Sequence, residues 1–298
     1  MFEQLGLIGC GLMGGSFALA LKQAGLVQRV VGYSKSPTTT ERARQLGVID
    51  VAAPSALLAV AGADIVLLAI PVAATEGMLK SIKHLITPNV LVMDVGSTKT
   101  DVVQAARNAM KGQLGSFVPA HPITGKEVSG VAHADANLYR GARVILTPTE
   151  RTRPTQLKKA EAAWRALGCQ VRQMSPQDHD AAFATVSHLP HLLAFAMMHS
   201  VGQQPQGTAF LQMAGPGFRD FTRIAASEPT MWRDILLANR EQVLAQAQQF
   251  HRALHEFETA MQAEDGATLQ ALIAKARSLR VACQFSQQPC KPSTPKTT

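Results

Sequence analysis

The chain has 298 residues, of which 46% are hydrophobic and only 17% are charged, and its formal net charge is +8. This composition indicates a folded, helix-rich protein of two domains and excludes an intrinsically disordered chain. The positive charge favours anionic partners, but the basic residues are scattered and the chain holds only two Trp and two Tyr. Nucleic-acid binding is therefore not expected, and a small polyanionic substrate with a phosphate-bearing cofactor fits better.

Neither a membrane span nor a signal peptide is expected. No apolar run approaches the roughly 20 residues that cross a bilayer, and the start, MFEQLGLIGCG, enters a strand without a basic leader. The four cysteines, Cys10, Cys169, Cys283 and Cys290, lack metal-ligand spacing. We interpret them as free thiols in a reducing cytoplasm.

Residues 2 to about 173 alternate strand-like and helix-like segments, which predicts a doubly wound α/β domain with a parallel sheet covered on both faces. Apolar or β-branched runs predict strands at 2–8, 29–33, 64–70, 90–94, 116–120, 143–147 and 169–174. Helical patterns lie between them at 14–24, 40–46, 99–110 and 154–167. We therefore predict a dinucleotide-binding domain over residues 1–174.

The strand signals stop at Ser175, and an all-α substrate and dimerisation domain is predicted over residues 175–282. Residues 179–202 are apolar nearly all round, as in a helix that is buried from several sides. A later long helix carries a narrow apolar seam, formed by Val243, Ala247, Phe250, Leu254, Phe257 and Met261. A domain with so few helices cannot bury all of these apolar helix faces by itself. We therefore expect a homodimer. The polar, Pro-rich residues 283–298 are expected to form a disordered tail.

A glycine motif directly follows the first predicted strand. The sequence GLIGCGLMGGS places Gly9, Gly11 and Gly14 as G-x-G-x-x-G between a strand and a helix, the context of a Rossmann-type dinucleotide site. Gly9 permits the tight turn, Gly11 lets the backbone approach a pyrophosphate, and Gly14 lets the helix pack on the strand. The pyrophosphate then meets the helix N-terminus, and we assign Leu12 and Met13 to the same cofactor site.

The residues after the second predicted strand bear on the choice of dinucleotide. An NAD site usually has an Asp or Glu there, which binds the ribose hydroxyls. This chain has Ser34, Lys35 and Ser36, and a hydroxyl together with an ammonium can hold a 2′-phosphate. We expect NADP, with NAD as the alternative; Lys35 could instead be a solvated loop residue. Pro71, after the third predicted strand, is assigned to the cofactor site as well.

Two residues that can do chemistry follow strands at the edge of the sheet where ligands bind. Ser97 follows the strand at 90–94, and His121 follows the strand at 116–120 within AHPITGKE. A His at this edge is suited to general-base catalysis because its pKa lies near working pH; the alternative is a structural His. His188 and His191 in SHLPH could suggest a metal, but no third ligand has useful spacing. We expect no metal there, and instead substrate contact or a structural role.

Residues 215–234, GPGFRDFTRIAASEPTMWRD, break the helical periodicity of the second half. Arg219, Arg223 and Trp232 beside a Gly-Pro-Gly turn are typical of a pocket wall that receives an acid. The alternative is an interhelical loop with solvated charges.

The motifs GLIGCGLMGGS, DVGSTK, AHPITGKE, SHLPH and GFRDFTRIAASEPTMWRDI together resemble the prephenate/arogenate (cyclohexadienyl) dehydrogenases of tyrosine biosynthesis, over roughly residues 2–280. The resemblance implies a nucleotide domain, a helical domain that forms a homodimer, and active sites between the two domains. It also implies oxidative decarboxylation of prephenate to 4-hydroxyphenylpyruvate with NAD(P)+. A hydride leaves C4 of the ring, the ring hydroxyl loses its proton, and CO₂ departs as the ring becomes aromatic.

The resemblance assigns roles to individual residues. His121 matches the catalytic histidine that accepts the proton of the ring hydroxyl, and Ser97 matches a serine that orients both groups and also borders the cofactor. Arg223 matches the arginine that binds the ring carboxylate. His191 and Trp232 match residues at the side-chain end of the substrate.

Three other functions are alternatives to this one. An arogenate-specific enzyme would give tyrosine directly, but Lys126, if it points inward, would repel the ammonium of arogenate; an outward, solvated Lys126 is the alternative. A β-hydroxyacid or imine-type dehydrogenase commonly has a catalytic Lys on its first interdomain helix, and SPQDHDAAFATVSHLPHLLAF has none. A non-catalytic, nucleotide-sensing dimer would not need His121, Ser97 and Arg223 together.

Overall fold

The computed structural model describes residues 2–126 and 128–283. The chain divides into two compact units, Met1–Val243 and Leu244–Thr298. The predicted domain boundary at residue 174 lies within the first unit and stays a prediction.

A six-stranded parallel sheet forms the beginning of the first unit. Its strands lie in the order β3-β2-β1-β4-β5-β6, the order of a Rossmann-type fold, which confirms the predicted doubly wound α/β class. The central strand pairs Leu7 with Gly32 on one side and with Leu67 on the other. The strands are β1 (Phe2–Ile8), β2 (Val27–Tyr33), β3 (Val51–Ala52), β4 (Ile65–Leu68), β5 (Leu91–Asp94) and β6 (Phe117–Val118).

Helices connect these strands and cover the sheet. Leu5 and Leu7 of β1 are fully buried in one hydrophobic cluster with Phe17 of the first helix, and burying each such side chain stabilises the fold by about 1.5–3 kcal/mol. The helices are α1 (Leu12–Gln23), α2 (Pro37–Gln45), α3 (Ala56–Val60), α4 (Thr75–Ile82) and α5 (Thr100–Met110).

The chain then enters a second sheet of three strands, β7 (Ala120–Ile123), β8 (Arg143–Leu146) and β9 (Gln170–Gln173), with α6 (Pro154–Ala166) between the last two. Strand β7 runs antiparallel to β8, and β8 runs parallel to β9. The prediction of a single parallel sheet through residue 173 is therefore wrong. Only Pro119 separates β6 from β7, which is too short for the crossover that a parallel neighbour requires.

Helices make up the rest of the first unit. They are α7 (Pro176–Phe183), α8 (Leu189–Gly202), α9 (Gly207–Gln212), α10 (Pro216–Thr222), α11 (Pro229–Ala238) and the start of α12 (Arg240–Gln262). A π-helical turn, Ala184–His188, joins α7 to α8. Pro190 lies in the first turn of α8, where its missing N–H is tolerated.

Helices α7 and α8 with this turn form one helical segment, Pro176–Gly202, of 27 residues. Its most apolar 18-residue window has a mean hydropathy of 1.4, so by length and composition alone it could cross a membrane. The expectation that no apolar run approaches that length was wrong by this measure. The segment carries His179 and Asp180, which are buried, but only 28% of its most apolar window is buried, so it is not enclosed on several sides as expected.

The second unit consists of the remainder of α12 and of α13 (Gly266–Ala282). The carboxylate of Asp265 begins α13 by accepting the N–H of Thr268 at 3.0 Å. The predicted long helix with an apolar seam is confirmed, and Leu254 and Met261 of that seam are 43% and 56% exposed. Apart from Cys283, the predicted disordered tail lies outside the described residues.

Candidate active site

The loop between β1 and α1 has the shape that a dinucleotide pyrophosphate requires. Gly9 has φ = +97°, and a Cβ atom there would lie 2.1 Å from the carbonyl oxygen of Ala69. A Cβ on Gly14 would lie 2.1 Å from the Gly9 carbonyl oxygen, whereas one on Gly11 would meet nothing within 4 Å. Gly11 therefore faces open space at the N-terminus of α1, which has no side-chain cap. These residues fit a dinucleotide, whose phosphates can bind the uncapped N–H groups.

The end of β2, where the ribose of such a dinucleotide would lie, carries hydroxyl groups and one ammonium group. The Ser34 hydroxyl accepts the N–H of Cys10 at 2.9 Å, so it ties the glycine loop to β2. Ser36 caps α2 by accepting the N–H of Thr39 at 3.4 Å. Lys35 between them is exposed.

Elsewhere in the predicted cofactor site, Leu12 is buried within α1, and the backbone carbonyl of Met13 accepts the hydroxyl of Tyr139 at 2.7 Å. Pro71 is exposed at the end of β4.

His121 lies in β7 and is only 9% exposed. Its Nδ1 atom is 2.8 Å from Nε2 of His179, and its ring packs against Phe183 with the ring centres 4.8 Å apart. Burial lowers the pKa of His121 well below its ordinary value, and nearby positive charge, including that of Lys99, lowers it further. At neutral pH the His121 imidazole is therefore neutral, the state that a general base needs.

Asp180 lies beneath this pair of histidines. Its two carboxylate oxygens accept the N–H groups of Lys99 and Thr100 at 2.8 Å each, at the N-terminus of α5. Its Oδ1 atom is also 2.8 Å from Nδ1 of His179. Burial alone would raise the pKa of Asp180, but the hydrogen bonds from His179 and Thr100 hold it below the ordinary value. Asp180 is thus a buried carboxylate, and burial lowers the pKa of His179 in turn.

A second buried charge pair fixes the backbone next to His121. Lys99, which is fully buried, forms an ion pair with Asp94 at the end of β5 and donates to the carbonyl oxygen of Ala120 at 3.0 Å. Asp94 in turn accepts the N–H of Ala120 at 3.0 Å and that of Gly96 at 2.7 Å. Both backbone polar groups of Ala120 are therefore bound by this pair, which holds the start of β7 against the end of β5.

His188 ends the π-helical turn and is fully buried. The side-chain amide of Asn239 donates to Nδ1 of His188 at 3.1 Å and to the carbonyl oxygen of Asp180 at 2.8 Å. Burial lowers the pKa of His188 to about 4, against a smaller opposing effect of Asp180. The backbone of Ser97, in the connection between β5 and α5, lies beside this ring.

An aromatic stack continues from there toward Arg223. The ring of His191 lies on Trp232 with the ring centres 3.6 Å apart and the planes 20° apart, and its Nδ1–H donates to the carbonyl oxygen of Ser187 at 2.9 Å. Burial lowers the pKa of His191, and the charge of nearby Arg223 lowers it further. Arg223 itself is exposed and follows the last turn of α10.

Comparison with known proteins identifies the family. The model "Prephenate dehydrogenase, nucleotide-binding domain" matches residues 17–173, and "Prephenate dehydrogenase, dimerization domain" matches residues 175–275. The chain belongs to the prephenate dehydrogenase family.

Individual members of the family match nearly the whole chain. A prephenate dehydrogenase of Bacillus subtilis is 34% identical over 98% of this chain and 79% of its own. A cyclohexadienyl dehydrogenase of Zymomonas mobilis is 32% identical over 95% and 96%. The crystal structure of prephenate dehydrogenase from Aquifex aeolicus in complex with hydroxyphenyl propionate and NAD+ has a TM-score of 0.87, with 36% identity over 94% of this chain and 98% of that one.

Several residues that the sequence analysis proposed for this family's reaction lie in one continuous group. Ring contacts join His188 to Trp232 and Trp232 to His191, and the backbone of Ser97 lies beside His188. Nearby His188 contributes to lowering the pKa of His121, and nearby Arg223 contributes to lowering that of His191. Two proposed residues have other contacts. Lys126 donates to Asp135 and to the carbonyl oxygen of His133, both at 3.1 Å, and Arg219 donates to the carbonyl oxygen of Ala214 at 3.2 Å.

Sequence reasoning missed the residues that hold this group in place, namely Asp94, Lys99, His179, Asp180 and Asn239. Two of them lie within DVGSTK, and another two lie within SPQDHDAAF. The signal that could have found them is a charged residue within an otherwise apolar strand or helix. Among residues 2–126 and 128–283, no group of three or more His, Cys, Asp or Glu side chains could hold a metal ion.

Proposed function

We propose that this protein catalyses the oxidative decarboxylation of prephenate to 4-hydroxyphenylpyruvate with a nicotinamide dinucleotide. The observation that carries the proposal is the group formed by a neutral, buried His121 and the stack of His191 and Trp232 beside Arg223. The relatives named prephenate dehydrogenase, and the solved relative that holds hydroxyphenyl propionate and NAD+, support it.

The residues of this chain divide the reaction between them. A bound nicotinamide supplies the acceptor for the hydride that leaves C4 of the substrate ring. His121 accepts the proton of the 4-hydroxyl group as the carbonyl forms there, and Ser97 orients that hydroxyl. Arg223 binds the ring carboxylate and so orients the ring. The carboxylate then leaves as CO₂, and its bonding electrons enter the ring and make it aromatic. The oxygen at C4 takes the proton back from His121, so the product is a phenol.

Prephenate is the preferred substrate in this proposal, and arogenate is the alternative. The two differ at the side chain, where prephenate has a keto group and arogenate an ammonium. Neutral His191 and cationic Arg223 favour the keto acid, because neither compensates an added positive charge.

NADP is the preferred cofactor in this proposal, with NAD as the alternative. Ser34, Lys35 and Ser36 place two hydroxyls and an ammonium, and no carboxylate, at the end of β2. An Asp at position 34 could still accept the N–H of Cys10, but it would repel a 2′-phosphate. We expect Ser34→Asp to shift the ratio of kcat/KM for NADP to that for NAD about tenfold or more toward NAD. Steady-state kinetics with each cofactor measures this ratio, and an unchanged ratio would contradict the assignment of Ser34.

A homodimer and a cytoplasmic location complete the proposal. The match to a dimerization-domain model supports the dimer, as do exposed apolar side chains in the helices, such as Val186, Met213 and Leu279 at 70%, 73% and 64%. Cys10, Cys169 and Cys283 are free thiols, consistent with a reducing compartment. Light scattering coupled to gel filtration tests the dimer, and a monomer at micromolar concentration would contradict it.

One experiment tests the reaction itself. The purified protein is mixed with prephenate or arogenate and with NAD+ or NADP+, while nicotinamide reduction and aromatic product are followed. We expect reduction with prephenate together with 4-hydroxyphenylpyruvate. Reduction only with arogenate, giving tyrosine, would favour the alternative substrate, and no reduction in any of the four mixtures would refute the function.

A further inference from the structure

A series of hydrogen bonds from Asp180 through His179 to His121 determines which of the two nitrogens of His121 can accept a proton. Asp180 is ionised and only accepts hydrogen bonds. Its Oδ1 atom lies 2.8 Å from Nδ1 of His179, so that nitrogen carries the proton and donates it to Asp180. His179 is neutral, because burial lowers its pKa. A neutral imidazole has one protonated nitrogen, so Nε2 of His179 is unprotonated and its lone pair can accept a hydrogen bond.

This lone pair imposes a tautomer on His121. Nε2 of His179 lies 2.8 Å from Nδ1 of His121, and a hydrogen bond between them requires the proton on His121. His121 is also neutral, so its Nε2 atom must be unprotonated. We propose that His179 and Asp180 are positioning residues that keep the Nε2 lone pair of His121 available to accept the proton of the substrate hydroxyl.

The arrangement is anchored to the backbone at its far end. Asp180 is held by the N–H groups of Lys99 and Thr100, at the same helix N-terminus that supplies the ion pair with Asp94. The carboxylate also stabilises the positive charge that develops on His121 when it accepts a proton, through the intervening ring of His179. The catalytic part of this inference rests on the proposed function, whereas the tautomer is a property of the protein without substrate.

The tautomer is measured by two-bond proton–nitrogen NMR on full-length protein labelled with ¹⁵N-histidine, with the His121 signals assigned by their loss in His121→Gln. We expect wild-type His121 to be protonated at Nδ1 at neutral pH. His179→Phe keeps an aromatic ring against Phe183, which stacks on His179 at 4.5 Å, but removes the acceptor. We expect most His121 to move to the Nε2-protonated form in this variant, while His84→Phe, at an exposed site, leaves it unchanged.

Kinetics provides the second readout. We expect His179→Phe to lower kcat about 10- to 100-fold with KM changed by less than about threefold, because the wrong nitrogen is protonated before the proton transfer. His179→Gln, whose side-chain carbonyl can accept the Nδ1–H of His121, should recover kcat to within about fivefold of wild type. This variant also serves if His179→Phe does not fold.

The outcomes separate the inference from the proposed function. The inference is refuted, whatever the activity, if wild-type His121 is protonated at Nε2 or if His179→Phe leaves it protonated at Nδ1. It is refuted likewise if His179→Gln, which keeps an acceptor, does not keep His121 protonated at Nδ1. If His179→Phe and His179→Gln lose kcat equally, the role of the acceptor is also refuted. If no substrate reacts but the tautomer is as expected, the positioning stands and the assigned reaction fails.

Discussion

The two ends of the active site are built in different ways. Around His121, the groups are buried and bound to backbone atoms at the start of α5 and of β7, through Asp180 and through the Lys99–Asp94 pair. Around Arg223, the site is a stack of two rings from α8 and α11, and Arg223 itself is exposed. The proposed proton-transfer end is therefore held by buried hydrogen bonds, whereas the proposed acid-binding end is more exposed. We expect changes at the first end to affect kcat and changes at the second to affect KM.

The largest effect is expected from the base itself. His121→Asn keeps a polar side chain of moderate size but removes the proton acceptor at Nε2. Since general-base catalysis contributes about 10²- to 10⁴-fold, kcat should fall by about 10³-fold while KM changes little. Steady-state kinetics with prephenate measures both parameters. A comparable rise in KM would show that His121 mainly binds the substrate, and the comparison of the two ends would fail.

The next largest effect is expected from breaking the buried ion pair between Lys99 and Asp94. Lys99→Met leaves the Asp94 carboxylate buried without its cation, which costs about 3–5 kcal/mol of unfolding free energy. Urea unfolding at fixed protein concentration measures this loss. The matched control is Lys22→Met, because Lys22 pairs with Asp50 where both side chains are partly exposed, at 25% and 42%. That change should cost about 0–1 kcal/mol, and equal losses in the two variants would show that burial does not distinguish the two ion pairs.

Removing the exposed guanidinium tests the opposite end. Arg223→Ala should raise KM for prephenate about 10- to 100-fold, because a hydrogen bond to a charged group contributes about 1.5–3 kcal/mol, and should lower kcat by less. Arg219→Ala is the matched control on the preceding turn, since the Arg219 side chain donates to its own chain at Ala214. The assignment of Arg223 is wrong if the two variants raise KM equally.

Much of the fold could be predicted because its signals are local. The glycine motif, strand β1 and helix α1 follow one another within 23 residues, and the period of the apolar residues changes at each boundary. The change of sheet at β7 could not be predicted, because it depends on the pairing of β7 with β8. The two strands are 20 residues or more apart along the chain.

The candidate site divides in the same way. His121, Ser97 and Arg223 could be proposed from motifs, because each occupies an informative position in its own segment. His179 and Asp180 could not be proposed in this way, because SPQDHDAAF has the composition of an ordinary solvated start of a helix. Their role exists only because folding brings His179 to His121 across 58 positions of sequence. Contacts of that separation leave no mark on local periodicity.

The smallest effect is expected at Lys126, where the sequence alone left two orientations open. Its ammonium is paired with Asp135 at 3.1 Å, and both side chains are partly exposed, at 24% and 39%. A charge that is neutralised within its own loop cannot discriminate strongly between a keto group and an ammonium on the substrate. Lys126→Ala should therefore change the ratio of kcat/KM for prephenate to that for arogenate by less than about threefold.

Lys80→Ala, which removes an exposed pair with Glu76, controls for loss of one surface charge. A tenfold gain of arogenate activity in Lys126→Ala alone would show that Lys126 belongs to the acid-binding end, and that this end selects its substrate by charge repulsion as well as by the pairing at Arg223.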